Sequence, residues 1–342
     1  MLALVALIEA GPAASAKPTV TISGRAYVFN HSETPIAGAT IRVRELPGAS
    51  AIADANGDYR LTVPDDANVT PYIEPPAGYH QIDLQTFHTR GKAIENANFQ
   101  TPADAEYNGL AALLSVPIGP DGRPEECVIV TTASARNVRG VDFETFRART
   151  PHGVPGATAH AKPALPKPTY FNESVIPDPS RNETSGDGGI IWTEVPAGTY
   201  RVITESASTR FASFLATCEP GRIVNANPPW GTYALAVDER TLGAGVVAGS
   251  VVKVGNGRRA GNRLVTVKLR IAEPLRARLV LRQDGSKIAR RRSEKLAVGV
   301  EKTRLRVATE AEGGAARLKV RLSDAAGDAI TDRIGLRLPR AP

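Results

Sequence analysis

The chain has 342 residues, of which 42% are apolar and 5% aromatic, and it carries a formal net charge of +7. This length predicts two or three domains, and the apolar content is enough for packed cores, which argues against a disordered chain. The 31 Gly and 26 Pro residues favour many turns and short strands.

Residues 1–16 resemble the end of a secretory signal peptide. An apolar stretch, residues 2–8, precedes the small residues Ala-Ser-Ala at 14–16, which predicts cleavage before Lys17. Two features depart from the signal pattern: no basic residue precedes the stretch, and Glu9 ends it. A start codon placed too far downstream would explain the missing basic residue, and a frayed N-terminal tail is the alternative to a signal peptide. No later segment approaches the ~18 apolar residues of a membrane span. We therefore expect a secreted, extracellular or cell-surface protein.

Residues 17–101 are predicted to form the first β-sandwich. Within them, residues 19–63 alternate apolar and polar side chains between turn signals, as β-strands do. Asn56-Gly57 predicts a hairpin turn, with residues 59–63 as the returning strand. Asp54, Asn56 and Asp58 also alternate as in a calcium loop, but the bidentate Glu of such a loop is missing, so the hairpin is favoured.

A linker, residues 102–123, follows. Within it, residues 103–116 predict a short helix that docks on a sandwich, because Leu110, Leu113 and Leu114 fall on one face at helical spacing.

The pattern of the first module then recurs in residues 124–240. The segment Pro-Ile-Ala-Gly-Ala-Thr at 35–40 is echoed by Gly-Val-Pro-Gly-Ala-Thr at 153–158, which indicates an internal repeat. A Pro-rich insertion at about 162–181 predicts a surface loop, because proline removes donors from a sheet.

These motifs resemble the carboxypeptidase regulatory-like domain. The resemblance rests on residues 35–40, a Gly-containing turn and Tyr-Arg-Leu-Thr-Val-Pro at 59–64, and in the second copy on residues 156–158 and 195–200. It covers about 18–100 and 124–238, and it implies a seven-stranded transthyretin-like sandwich for each copy, without a catalytic role. The long insertion departs from the family pattern.

The two cysteines, Cys127 and Cys218, both lie in the second copy. In an exported chain such a pair predicts one disulfide; two buried free thiols in a cytosolic protein are the alternative.

Residues 243–342 hold 23 of the 42 Lys and Arg residues but only 9 of the 35 Asp and Glu residues, so they carry +14 and the remainder −7. Segments at 264–270, 276–282, 305–307, 317–322 and 334–338 alternate with period two, and Asp284-Gly285 predicts a tight hairpin. We expect a basic immunoglobulin-like sandwich that folds on its own.

Two interpretations of this basic module stay open. Its charges form a solvated outer face that blocks edge pairing, or they form a polyanion-binding surface with Arg290, Arg291 and Arg292 as the best local candidates. Because the charges are spread over several strands, we expect only weak polyanion binding. Aromatic residues are scarce here, which argues against specific nucleic-acid binding.

Four aromatic residues are candidates for sugar contacts. Trp192 and Trp230 offer flat faces, and Tyr170-Phe171 would form a patch in the Pro-rich loop; the alternative is that each is a core or edge aromatic.

We predict no catalytic residue, no cofactor and no metal site. The pairs His80/His88 and His152/His160 have no Cys or carboxylate at ligand spacing, and no serine lies in a Gly-x-Ser-x-Gly setting.

The sequence therefore predicts an all-β chain of tandem antiparallel sandwiches, two transthyretin-like and one immunoglobulin-like, with a short linker helix. The leading hypothesis is an exported non-catalytic structural or binding protein whose partners are cell-wall or other extracellular glycans, or another protein. The alternatives are an accessory substrate-binding protein of extracellular polysaccharide or peptide breakdown, and an enzyme with an unrecognised site.

Overall fold

A computed structural model describes residues 18–239, 247–259 and 262–340. The signal segment 1–16 and its cleavage point before Lys17 lie outside these ranges. Within them no helix is long and apolar enough to cross a membrane. The described residues form tandem β-sandwiches whose strand pairs are mainly antiparallel, as the sequence predicts.

The first sandwich contains nine strands. In chain order they are β1 Thr19–Val28, β2 His31–Pro35, β3 Thr40–Val43, β4 Leu46–Ile52, β5 Asp58–Pro64, β6 Asn68–Val69, β7 Pro71–Glu74, β8 Phe87–His88 and β9 Phe99–Thr101. One sheet has the order β2-β1-β5 with β9 beside β1, the second has the order β4-β3-β7, and β6 pairs with β8. Alternate residues of β5, namely Tyr59, Leu61 and Val63, are buried in the core between the sheets.

The turn at Asn56-Gly57 forms, but it is not a hairpin. The strand after it, β5, pairs with β1, whereas the strand before it, β4, belongs to the other sheet. Gly57 has φ +78°, and a Cβ there would lie 2.2 Å from the carbonyl oxygen of Ala26, so glycine is required. The sequence identified the turn, but which strand the returning segment meets depends on packing between the sheets.

The linker contains the predicted helix, α1 (Asp104–Leu113). Tyr107 and Ala111 are its buried residues, and His80 stacks on Tyr107 with ring centroids 3.6 Å apart. Leu110 is half-buried, but Leu113 is 56% exposed. The buried face of the helix is therefore centred on Tyr107 and Ala111 and not on the three predicted leucines.

The second sandwich begins at β10 (Cys127–Ser134). A 3-10 turn at Arg136–Val138 and helix α2 (Phe143–Ala148) follow. The remaining strands are β11 Thr158–Lys162, β12 Thr169–Phe171, β13 Pro177–Asp178, β14 Gly189–Val195, β15 Gly198–Glu205, β16 Phe214–Cys218, β17 Ile223–Ala226 and β18 Thr232–Tyr233. They form a sheet of order β13-β12-β14-β10-β17, with β18 also beside β10, and a sheet of order β11-β15-β16.

Strand pairing repeats between the first two sandwiches. Strand β1 is antiparallel to β5 and parallel to β9, and β10 is likewise antiparallel to β14 and parallel to β17. The β3–β7 pair in the opposite sheet corresponds to β11–β15. This topology agrees with the internal repeat in the sequence.

The Pro-rich insertion is not a simple surface loop. It contributes β12 and β13 to the large sheet, where Tyr170 lies opposite Ile190 of β14. Prolines at 163, 166 and 168 precede β12 and Pro177 begins the edge strand β13, so none of them interrupts a central strand.

Cys127 and Cys218 form the predicted disulfide, with Cα atoms 5.5 Å apart. Cys127 begins β10 and Cys218 ends β16, so the bond joins the two sheets of the second sandwich.

The third sandwich is immunoglobulin-like and has its own core. Its strands are β19 Gly249–Arg259, β20 Asn262–Ile271, β21 Leu275–Gln283, β22 Ser286–Leu296, β23 Gly299–Arg306, β24 Gly314–Ser323 and β25 Ala329–Leu338. They form a β19-β20-β23 sheet and a β22-β21-β24-β25 sheet, packed around a single apolar cluster. Asp284 and Gly285 both have positive φ and connect β21 to β22 as the predicted hairpin.

Candidate functional site

The first two sandwiches are joined through their backbones. The amide of Asp83 donates to the carbonyl of Ile223 at 2.8 Å, and the carbonyl of Asp83 accepts from the amide of Asn225 at 2.8 Å. The amide of Thr86 donates to the carbonyl of Leu215, also at 2.8 Å. A segment of the first sandwich is therefore bonded to strands of the second.

Apolar side chains continue this junction. Val128, Phe171, Ile191 and Ile223 of the second sandwich belong to the hydrophobic core of the first. Beside them lies an apolar cavity of about 80 Å³, which α1 lines with Tyr107 and neighbouring side chains. The helix thus covers the apolar seam between the two sandwiches.

A more polar pocket of about 180 Å³ lies at the same junction. Tyr27 and Gln100 of the first sandwich line it together with His152, Asp187 and Asn227 of the second. Burial raises the pKa of Asp187 to about 6, although its carboxylate accepts a hydrogen bond from the amide of Gly189 at 3.0 Å. Burial likewise lowers the pKa of His152. These groups could hold a small polar molecule.

Three of the four aromatic candidates lie inside the protein. Tyr170, Phe171 and Trp192 are 2%, 4% and 3% exposed. The hydroxyl of Tyr170 accepts from the amide of Ala159, and Trp192 Nε1 donates to the carbonyl of Pro166. Their rings pack in the core because the insertion pairs with β14, so they do not present flat faces to a ligand in this conformation.

Trp230 is half-buried at the junction of the first two sandwiches. Its Nε1 donates to the carbonyl of Glu95 at 2.8 Å, and its ring meets the edge of Phe87 with centroids 5.1 Å apart. Trp230 thus connects the second sandwich to the first, and it lies apart from Trp192, which is in the core of the second sandwich.

The third sandwich is attached through a buried charged group that the sequence did not reveal. Arg201 of β15 pairs with Glu273 and lies 3.5 Å from Asp324, and the side chains of all three are at most 3% exposed. Glu273 also accepts from the amide of Ala248 at 2.7 Å. Asp328 completes this group by accepting from the hydroxyl of Ser213 at 2.6 Å. We call these five side chains the Arg201 cluster.

Asp324 is a carboxylate of the cluster whose pKa lies well above its usual value. Burial, with the nearby carboxylates of Asp328 and Glu273, raises its pKa to about 7, although the positive charge of Arg201 acts in the opposite direction. One guanidinium therefore faces three carboxylates at this junction, and protonation of Asp324 reduces the excess of negative charge.

Two further contacts join the third sandwich to the first. Arg270 Nη1 bonds the side chain and the carbonyl of Asp66, each at 2.8 Å. Arg90 donates to the carbonyls of Val247 and Gly249. The third sandwich thus contacts both of the others.

The β22-β21-β24-β25 sheet turns one side to solvent. Its outward residues are exposed and alternate with buried Leu and Val. The outward cations, which we call the outer basic face, are Arg276, Arg278, Arg282, Lys287, Arg290, Arg292, Arg317, Lys319, Arg321, Arg333 and Arg337.

Of the three predicted arginines, two belong to this face. Arg290 and Arg292 lie opposite the outward residues Val280 and Arg278, whereas Arg291 lies opposite the buried Leu279 and so points to the other side of the edge strand. The cations of β21, β24 and β25 were not singled out from the sequence. Because these cations alternate with apolar residues along each strand, the sequence indicated that they face outward. Which cations become neighbours on the sheet depends on which strands pair.

The described residues contain no group of three or more His, Cys, Asp or Glu side chains that could hold a metal ion. His88, one of the paired histidines, is instead buried and bonds the side chain of Asn68 through Nδ1 at 2.8 Å.

No protein-family model and no curated protein sequence matches the chain. Among solved structures, a DUF3823 family protein from Bacteroides ovatus is 9% identical, with a TM-score of 0.20, over 63% of this chain and 100% of that one. A tetra-tandem repeat from the extending region of a large adhesion protein is 11% identical, with a TM-score of 0.23, over 94% of this chain and 74% of that one. The major pilin subunit of Bacillus cereus is 8% identical, with a TM-score of 0.18, over 63% and 69%. Likenesses at this level carry no functional argument.

Proposed function

We propose that the protein is a non-catalytic extracellular or cell-surface protein with a structural or binding role. The observation that carries the proposal is the set of buried contacts that joins all three sandwiches. The backbone bonds of Asp83 connect the first two, and the Arg201–Glu273 pair connects the third. Such a chain presents the surfaces of its modules in a fixed relation to one another.

Junctions of this kind are unusual between modules that move freely. Interfaces between domains of one chain are commonly polar and permit relative motion. Here a charged pair has been removed from water, and breaking it would leave an uncompensated buried charge. The junctions therefore favour a role in which spacing and orientation matter, as in a surface structure or a multi-module binder.

The disulfide supports an extracellular location. Disulfides persist in oxidising compartments and are rare in reducing cytosol. Cys127 and Cys218 are fully or almost fully buried in the bonded geometry. Export through the predicted signal segment is part of the proposal.

We further propose that the first two sandwiches are carboxypeptidase regulatory-like domains. Two features support this: the seven strands in the two main sheets of the first sandwich, and the pairing pattern that the second sandwich repeats. A domain of this kind accompanies an enzyme without performing its chemistry. An accessory role in polysaccharide or peptide breakdown is therefore the second candidate.

Cosedimentation tests the proposal. The full chain is produced with its native N-terminus, recovered from cell fractions, and mixed with purified cell envelopes from the same cells. We expect recovery outside the cytoplasm with the disulfide intact, retention on the envelopes, and no release of sugars or peptides. Recovery only in the cytosol with free thiols would contradict export, and released reducing ends or peptides would contradict the non-catalytic role.

A further inference from the structure

The strand register of the third sandwich places like charges directly opposite one another. Arg278 of β21 lies between Arg292 of β22 and Arg321 of β24, in one row across the sheet. The expectation of weak polyanion binding rested on the spread of the cations over several strands. The cations do lie on several strands, but these strands are neighbours, so the register brings the cations together on one face.

One further row repeats the arrangement, because Arg282 lies between Lys287 and Arg317. The row between these two repeats it in part: Lys319 lies beside Arg333, and Val280 separates this pair from Arg290. Every charged side chain at the described outward positions of this face is cationic, and none of them forms a salt bridge in the described part of the chain.

This arrangement is unfavourable for the sheet alone. Like charges directly opposite on neighbouring strands repel, whereas alternating signs would attract and would be as soluble. Protection of sheet edges needs cations on edge strands only, yet Arg278, Arg282, Arg317, Lys319 and Arg321 are on the two central strands β21 and β24. Edge protection therefore does not explain the outer basic face.

We propose that the outer basic face binds a linear anionic glycan that carries one carboxylate on each sugar ring. Neighbouring strands are about 4.8 Å apart, so a row such as Arg292–Arg278–Arg321 offers cations at about this interval. That interval is close to the length that one sugar ring contributes to an extended chain. A polymer lying across the strands would meet successive guanidinium groups with successive carboxylates.

The residue types fit this ligand. Most cations of the face are arginines, whose planar guanidinium binds a carboxylate with two parallel hydrogen bonds. The described outward positions of the face hold no aromatic ring on which a nucleic-acid base could stack. The glycan assignment deepens the proposed function and depends on it, since it names the ligand of a surface protein.

The test compares two triple variants of the full chain. The first, Arg278→Gln with Arg292→Gln and Arg321→Gln, removes one row of the outer basic face. The matched control, Arg60→Gln with Lys92→Gln and Arg136→Gln, removes the same charge from exposed positions of the first two sandwiches. The opposite sheet of the third sandwich offers no such control, because Lys253, Lys268 and Lys302 form a cationic row of their own there. The comparison therefore separates the loss of three charges from the loss of three contacts on the outer basic face.

Binding to polygalacturonate is measured from 50 to 300 mM NaCl, with dextran as the neutral glycan. The wild type and the control should bind polygalacturonate and not dextran. The first variant should bind at least about tenfold more weakly at the low-salt end, and its slope of log K against log salt should be smaller by about 2, for three lost contacts. Hyaluronan, with a carboxylate on every second ring, should bind more weakly than polygalacturonate at equal carboxylate concentration.

If the two triple variants lose equal affinity for polygalacturonate, the outer basic face is not the binding site. The same conclusion follows if the wild type does not bind polygalacturonate at 50 mM NaCl. Tighter binding of a DNA duplex than of polygalacturonate, at equal charge, would overturn the glycan assignment. If the first variant is still retained on cell envelopes as the wild type is, the proposed surface role stands and this inference fails. If the wild type is not retained, the proposed role fails.

Discussion

Arg201 Nε of the second sandwich donates to Glu273 Oε2 of the third at 3.1 Å, and a second guanidinium nitrogen binds the other carboxylate oxygen. The two residues are 2% and 3% exposed, and they are 72 positions apart in the chain. A two-pronged pair of this kind, removed from water, fixes the orientation of one module on the next.

We expect Arg201→Met to destabilise the docked arrangement by about 3–5 kcal/mol, because Glu273 would remain buried without its partner. The third sandwich has its own core, so it should stay folded and separate from the other two. Urea unfolding should then show two transitions in the variant and one in the wild type.

The triple variant Arg201→Met with Glu273→Met and Asp324→Asn serves as the control for this experiment. It removes the cation together with the two carboxylates that lie against it, and the Asn oxygen can still accept from the amides of Ala326 and Asp328, so much of the stability should return. A triple variant as unstable as Arg201→Met would show that the loss comes from packing rather than from the unpaired carboxylates.

The buried carboxylate of Asp187 should make stability depend on pH. Its pKa of about 6 in the folded protein exceeds the usual value of 3.8, so the folded state binds the proton more strongly. The free energy of unfolding should therefore fall as the pH rises from about 4 to about 6. Above that range the full destabilisation from burying the ionised carboxylate should be present.

Asp187→Asn should accordingly raise the free energy of unfolding at pH 7.5 by up to about 3 kcal/mol, and the gain should shrink towards zero at pH 4. Denaturant unfolding at both pH values measures this. The exposed Asp238, replaced by Asn, is the matched control and should change little. A gain of equal size at both pH values would show that the carboxylate does not titrate in this way.

Repulsion across β21 should make the third sandwich sensitive to salt. Arg278→Gln removes a cation that lies between two others, so it should raise stability by about 0.2–1 kcal/mol at low ionic strength. The gain should vanish in 1 M NaCl, where the Debye length is about 3 Å. Arg60→Gln is the control, since Arg60 lies opposite Ser23 on its neighbouring strand. Equal effects of the two variants would argue against cross-strand repulsion.

Loss of the disulfide should destabilise the second sandwich. The cysteines are 91 positions apart, and the chain-entropy account for such a loop gives about 4–5 kcal/mol as an upper figure. Unfolding of Cys127→Ser with Cys218→Ser, compared with oxidised and reduced wild type, measures the effect. The reduced wild type should resemble the variant; if oxidised and reduced protein unfold alike, the bond does not contribute.

The signal segment remains a prediction from sequence. N-terminal sequencing of exported protein should begin at Lys17, because residues 14–16 satisfy the small-x-small rule. Protein that retains Met1 after export would contradict it.

The sequence by itself determined the local structure. Alternation along residues 264–270 and 317–322 identified strands and their buried sides, because side chains of a strand point alternately to opposite faces. Asp284-Gly285 determined a hairpin, because its backbone angles favour that turn. The cysteine pair was identified because no other cysteines exist in the chain.

Only the tertiary structure decided which distant residues meet. The sequence around Arg201 gives no sign that this residue is buried, yet it is buried because the loop carrying Glu273 packs over it. Tyr170 and Phe171 read as a surface patch, yet the insertion adds a strand beside β14 and takes them into the core. Arg278 and Arg321 are far apart in the chain, and the β21–β24 register makes them neighbours. Periodicity determines the face of the strand to which a side chain points. The residue that it contacts depends on long-range strand pairing and burial, and local sequence patterns carry no information about these.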